Sequence, residues 1–190
     1  ETTFTGPSGD HTTGNGNFLY SEFSNIPFSP IQSGIITPCI DLAGNEARAF
    51  SFYYHQFGPD CYQLRIDIDT GTSGTSYWLG YDKIDGPQQF NGSDPWKKAY
   101  ISLEPFKNKL IRIRIAAISW YSGDLSDMAI DDLAITDVPA LDVELSEIIS
   151  LKISECSSSS NVPVKVSVQN LGGTPLVQIP VAYQLNQNAV

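Results

Sequence analysis

Three carboxylates carry the clearest potential for joint chemistry. Asp10 lies in the turn-rich run Gly6–Tyr20, and Asp131 and Asp132 stand side by side more than a hundred residues later. A hard cation such as Ca²⁺ takes roughly six to eight oxygens from carboxylates, carbonyls and water, so these three are candidate ligands of a structural calcium ion. Asp124, Asp127 and backbone oxygens near Asp10 are weaker candidates for the remaining positions. Neighbouring strand residues point to opposite faces, and alternation with Met128 and Ile130 assigns the inward position to Asp132. A buried carboxylate must be paired with a cation, protonated or hydrogen-bonded, and backbone amides of the glycine-rich turn around Asp10 could supply the last without an ion. Both readings stand at this level.

Other reactive side chains are sparse. His11 and His55 are the only histidines, and His55 sits inside an aromatic strand, where a packed or surface imidazole is the ordinary use. No nucleophile elbow, His-Glu-x-x-His or P-loop pattern occurs, so the chain is read as non-catalytic. Trp120 and Tyr121, beside a Gly turn, are candidate sugar-stacking residues, whereas Trp78 and Trp96 lie within alternating strands and read as packing. Of the three cysteines, Cys39 and Cys61 fall on consecutive predicted strands. A bridge between them would close about 22 residues and stabilise by roughly 3 kcal/mol. Two buried thiols are the alternative, and Cys156 is left over.

A net charge of −10 on 190 residues opposes the counterion release on which sequence-independent nucleic-acid binding depends. No apolar run is long enough to span a bilayer. Hydrophobic residues at 41% and charged residues at 17% fit an ordered globular chain.

The elements that must position these residues are strands. Helical periodicity is nearly absent, while apolar and polar residues alternate between Gly, Pro, Asn, Asp and Ser clusters, the pattern of an antiparallel all-β protein. Strands are expected over Asn17–Phe23, Thr37–Leu42, Ala47–Phe57, Tyr62–Thr70, Ser76–Tyr81, Trp96–Ser102, Leu110–Ser119 and Met128–Thr136, forming two packed sheets. Leu64, Ile66 and Ile68 share one face and Ile111, Ile113 and Ile115 another, which leaves Arg65, Asp67 and Asp69, and Arg112 and Arg114, on the outer side. If the two strands are neighbours, the arginines face Asp67 and Asp69 as exposed pairs contributing about 0.2–1 kcal/mol each. Asn91-Gly-Ser93 fits an N-glycosylation acceptor, a common tripeptide.

Several segments resemble the MAM family in order and spacing. Gly6–Tyr20 is similar to the opening of that module and Ser126–Ile135 to its closing strand. Between them, Cys39–Leu42 with Ala49–Gly58, Leu64–Asp67, Tyr77–Gly80, Trp96–Leu103 and Leu110–Ile118 are similar to its core segments. The resemblance implies a jelly-roll-like β-sandwich over residues 1–138, extracellular or on the cell surface, that binds a protein or glycan ligand, with an ion between its first turn and last strand. An accessory carbohydrate-binding module of a secreted hydrolase or protease is the alternative. The family pattern also leads one to expect a strand before the Gly-Pro turn, where only five residues precede Gly6. That strand is expected from outside this chain, or else the module is a shortened variant with an open sheet edge.

A boundary is expected near Asp137–Leu141, where Pro139 interrupts pairing. Residues 139–190 read as three strands, Leu141–Ile153, Val162–Gln169 and Gln178–Asn186, too few for a sandwich. Asn161–Gly172 resembles a strand of bacterial immunoglobulin-like modules of the CARDB or fibronectin kind. This part is therefore expected to be the start of a partial immunoglobulin-like domain in a larger multidomain polypeptide of bacterial type, where Cys156 would find its partner.

Overall fold

The computed structural model describes residues 5–23, 31–44, 48–71, 78–119, 125–138, 142–150, 165–172, 174–181, 184–185 and 188–189. Contacts divide the chain into two units, Glu1–Asp137 and Val138–Val190. The first is an antiparallel, jelly-roll-like β-sandwich. Its strands are β1 (Leu19–Glu22), β2 (Ile31–Ile36), β3 (Ile40–Asp41), β4 (Arg48–Phe57), β5 (Gln63–Asp69), β6 (Leu79–Asp85), β7 (Lys97–Ser102), β8 (Leu110–Ser119) and β9 (Asp127–Asp137). One sheet has the order β1-β9-β4-β7, the other β2-β8-β5-β6 with β3 also paired to β8.

Alternation builds the core between the sheets. Phe50, Phe52 and Tyr54 of β4, Ile101 of β7, and Met128 and Ile130 of β9 belong to one buried cluster with Leu64, Ile66 and Ile68 of β5 and Ile111, Ile113 and Ile115 of β8. Fully burying a side chain of this size contributes roughly 1.5–3 kcal/mol before conformational entropy is subtracted. Of the expected Thr37–Leu42 strand only Ile40–Asp41 (β3) is strand, and β2 just before it is an element the sequence pattern does not anticipate. β2 pairs with one end of β8 and β3 with the other, because Pro38 has no N–H for the ladder and breaks the run between them.

The expected Cys39–Cys61 bridge does not form: both thiols are free, Cys39 exposed and Cys61 buried. Register gives the reason. Ile40 lies opposite Ile111 and Gln63 opposite Ile118, so the two cysteines flank opposite ends of β8, more than about 20 Å apart at the strand rise, whereas a disulfide needs Cα atoms within about 7 Å. Cys61 instead points its Sγ at the Asp127 carbonyl, 3.4 Å away.

The inward assignment of Asp132 is also corrected. Tyr53 pairs with Asp131 and Ser51 with Ala134, leaving two residues of β9 against one of β4. This β-bulge places Asp132 at φ 49 and turns its side chain, 43% accessible, to the outer side. A bulge resets the two-residue period on which the assignment depended.

In the second unit, β10 (Val143–Ser150) pairs antiparallel with β11 (Lys165–Asn170), and β12 (Gln184–Leu185) with β13 (Asn188–Ala189). Among the described residues no helix is long and apolar enough to cross a membrane.

Candidate functional site

The outer face of the four-stranded sheet carries the site. Along β4, Phe50, Phe52 and Tyr54 face the core, so Tyr53 and His55 face outward. Yet His55 has no accessible surface, because aromatic side chains cover it. The Trp96 ring lies 5.7 Å from the His55 ring and the Phe57 ring 6.4 Å away, while His11, from the first turn, stacks on Tyr53 at 3.4 Å. Trp96 also meets Phe18 edge-on and donates its indole N–H to the Gly9 carbonyl at 3.2 Å.

Asp10 organises the first turn internally. Its carboxylate accepts from the Gly16 amide at 2.5 Å, the Thr13 amide at 3.0 Å and the Thr13 hydroxyl at 2.9 Å. The Gly16 amide is the largest cause that holds its pKa down at about 2, since each bond favours the charged form. Gly16 must lack a side chain, because a Cβ there would stand 2.8 Å from Asp10 Oδ2.

The bulge on β9 then receives the turn. Asp131 Oδ2 accepts from the His11 amide at 3.1 Å. Asp132 Oδ2 accepts from the Thr12 hydroxyl at 2.8 Å and lies 2.7 Å from His11 Nδ1, and the His11 bond is the main reason its pKa is lowered. Asp127 accepts from the Thr5 hydroxyl. The first turn and last strand are therefore clasped together, through His11 and Thr12 rather than through Asp10.

As to a cation, no three His, Cys, Asp or Glu side chains among the described residues group in a way that could hold a metal ion. Protein donors occupy oxygens of Asp10, Asp131 and Asp132. The clasp is closed by hydrogen bonds between protein groups.

A second loop completes the face. Gln89 Oε1 accepts from the Gln56 amide at 2.8 Å, and Gln88 donates its amide to the Gln56 carbonyl at 2.8 Å, which fixes residues 86–95 on the end of β4. Within it Asp94 accepts from the Phe90 amide at 2.6 Å, the Asn91 amide at 3.1 Å and Asn91 Nδ2 at 2.6 Å. On this pre-ordered loop Phe90 is 90% exposed. A cleft of about 380 Å³ separates the two loops, with Asp10, His11, Asp94 and Trp96 among its walls. Phe90 is the residue that sequence reasoning misses. The available signal is an aromatic inside a run of turn residues, with an aspartate four positions on to cap it.

On the opposite sheet the charged strands are neighbours, Asp67 opposite Arg114 and Asp69 opposite Arg112. The pairs are not exposed: both aspartates are 2% accessible. Asp67 binds Arg114 at 2.8 Å and Arg65 at 2.9 Å, Asp69 binds Arg112 at 2.5 Å, and the two guanidiniums of β8 lie over Trp78. Trp120 and Tyr121, the sugar-stacking candidates, Asp124 and Cys156 lie outside the described residues.

A family model described as MAM domain, meprin/A5/mu, matches residues 1–139. The chain is 29% identical over 142 residues to "Thyroid hormone-induced protein B" of Xenopus laevis, covering 74% of this chain and 19% of that protein. It is 29% identical over 137 residues to "Neuropilin-1a" of Danio rerio, covering 70% and 14%. A shorter match, 35% over 57 residues, covers 30% of this chain and 8% of "MAM domain-containing protein 2" of Homo sapiens. The chain thus spans less than a fifth of these curated relatives. All three are vertebrate proteins and lend no support to a bacterial-type parent. The matched region contains both halves of the clasp, the turn that carries His11 and the strand that carries Asp132, within one β-sandwich, and the chain belongs to the MAM domain family.

Proposed function

We propose that this chain is a non-catalytic, extracellular adhesion or binding module of a larger protein, and that its ligand is another protein at the cell surface. The observation that carries this reading is Phe90, 90% exposed on a loop already ordered by Asp94. An aromatic anchor on a pre-ordered loop binds without an added ordering cost. The histidines support it as well: His55 is sealed under Trp96 and His11 is committed to Asp131, Asp132 and Tyr53.

The test is adhesion of cells to beads coated with the chain. Phe90→Ala is expected to lower adhesion about tenfold, the scale of a hot-spot residue, with an unchanged melting temperature. Adhesion indifferent to Phe90 would refute the site. Adhesion abolished by free glycans, with binding on a glycan array, would replace it with the carbohydrate-binding reading.

Calcium is a separable part of the proposal. Asp10 and Asp132 repel one another, and the His11 ring beside Asp132 carries charge only when protonated, so a hard cation would relieve the crowding. A chelator is expected to lower the melting temperature and Asp132→Ala to remove that response. An unchanged melting curve ends the calcium part and leaves the binding module standing. We extend the reading to residues 139–190 as immunoglobulin-like strands, supported by the β10–β11 pair.

A further inference from the structure

The chain contains two Asn-Gly dipeptides, Asn15-Gly16 and Asn91-Gly92, and the fold treats them in opposite ways. In such a pair the backbone nitrogen of glycine can attack the asparagine side-chain carbonyl, because no Cβ hinders the approach. At the first pair that nitrogen is tied up, donating to Asp10 Oδ1 at 2.5 Å. At the second, among the described residues, the Gly92 N–H meets no acceptor. The electrophile there is also prepared. Asn91 Oδ1 accepts from the Ser93 amide at 2.9 Å and from the Ser93 hydroxyl at 2.6 Å, two donors aimed at the oxygen on which negative charge develops. Asn91 Nδ2, the leaving nitrogen, is held by Asp94 Oδ1 at 2.6 Å.

From this geometry we infer that Asn91 is a site of self-modification, in which Gly92 closes a succinimide on the Asn91 side chain and water opens it to aspartate or isoaspartate. The Gly92 nitrogen gives its proton to solvent and forms a bond to Asn91 Cγ. Charge collects on Oδ1 between the Ser93 donors, the Cγ–Nδ2 bond breaks, and Nδ2 departs as ammonia after taking a proton from water. Addition of water to either imide carbonyl completes the reaction, and no oxidant or cofactor takes part.

The position gives the change a structural effect. The Gly92 carbonyl accepts from the Ser8 amide at 2.8 Å, and a Cβ on Gly92 would lie 2.8 Å from the Gly6 carbonyl. Isoaspartate adds a methylene to the backbone at this contact and sets a new carboxylate beside Asp94, so the first turn loses its seat on the loop. The effect lies beside Phe90 and does not depend on the proposed function.

The experiment is a time course of the whole chain at neutral pH and body temperature, with peptide mapping by mass spectrometry and isoaspartate detection. Asn91 is expected to convert about tenfold faster than Asn15 in the folded chain, with the two rates converging in guanidinium. Ser93→Ala is expected to narrow the folded-state gap and leave the guanidinium rates unchanged, while Asn91→Gln, which would need a larger ring, removes the reaction. Equal rates at the two asparagines in the folded chain would overturn the inference, as would a Ser93→Ala rate equal to that of the unaltered chain. An N-linked glycan on Asn91 in secreted material would overturn it as well, since it blocks the leaving nitrogen.

Discussion

Acid should destabilise the sandwich through His55 well before its carboxylates titrate. Burial is the largest cause that pushes the His55 pKa down from 6.5 to about 4, against the opposing pull of the Asp94 charge and the Asn91 and Asp94 backbone. As pH falls through 6.5 the unfolded chain takes up a proton that the folded chain refuses until about pH 4. The unfolded state therefore binds more protons across that window, and stability is lost as pH falls. The fall from 6.5 to about 4 predicts a loss of about 3 kcal/mol between about pH 7 and pH 4. The assay is urea unfolding at a series of pH values, for the natural chain and for His55→Phe. Phenylalanine keeps the ring contacts with Trp96 and Phe57, so the variant should be within about 1 kcal/mol of the parent near pH 7 and should lose most of the slope. Asp10, with its pKa at about 2, contributes stability that is lost as pH falls from 3.8 through about 2, largely below this window. Parallel pH profiles for the two proteins would refute the reasoning, as would an imidazole that titrates near its ordinary pKa in the folded state.

Two further tests address the buried charges and thiols. Arg114→Ala removes one of two arginines from an aspartate with 2% accessibility and should cost about 3 kcal/mol in urea unfolding, with much of the loss recovered on adding Asp67→Asn; simple additivity of the two changes would show that the pair is not coupled. A thiol reagent followed by peptide mapping should label Cys39 in the folded chain and Cys61 only after unfolding, because burial hides the Cys61 thiol and raises its pKa to about 12; protection of Cys39 in the folded chain until a reductant is added would restore the bridge.

How far the sequence is readable depends on how far each signal is local. The apolar faces of β5 and β8 follow from strict alternation, and the same alternation places Arg112 and Arg114 across from Asp67 and Asp69. Their burial does not follow, because a residue on the outer face is exposed only if nothing covers it, and here three arginines and Trp78 do. His55 is hidden for the same reason, by a loop that arrives forty residues later. Asp132 is misassigned because one extra residue in β9 resets the phase, and no propensity marks where a bulge falls. The link between the first turn and last strand is readable from the acidic residues, but its donors, His11 and Thr12, are not. Their role depends on Asp10 turning its carboxylate back onto its own loop.

The clasp also orders events in time. Its hydrogen bonds join residues about 120 positions apart in the chain, and among the described residues β1 has β9 as its only neighbour in the sheet. A chain emerging from the ribosome at roughly 5–20 residues per second therefore carries β1 without its partner strand for about ten seconds, until β9 is made, although Tyr53, Gly92 and Trp96 are already there for the first turn to dock on. During that interval Leu19–Glu22 is open to chaperones and to the wrong strand of another nascent chain. A strand made early is among the last to be secured.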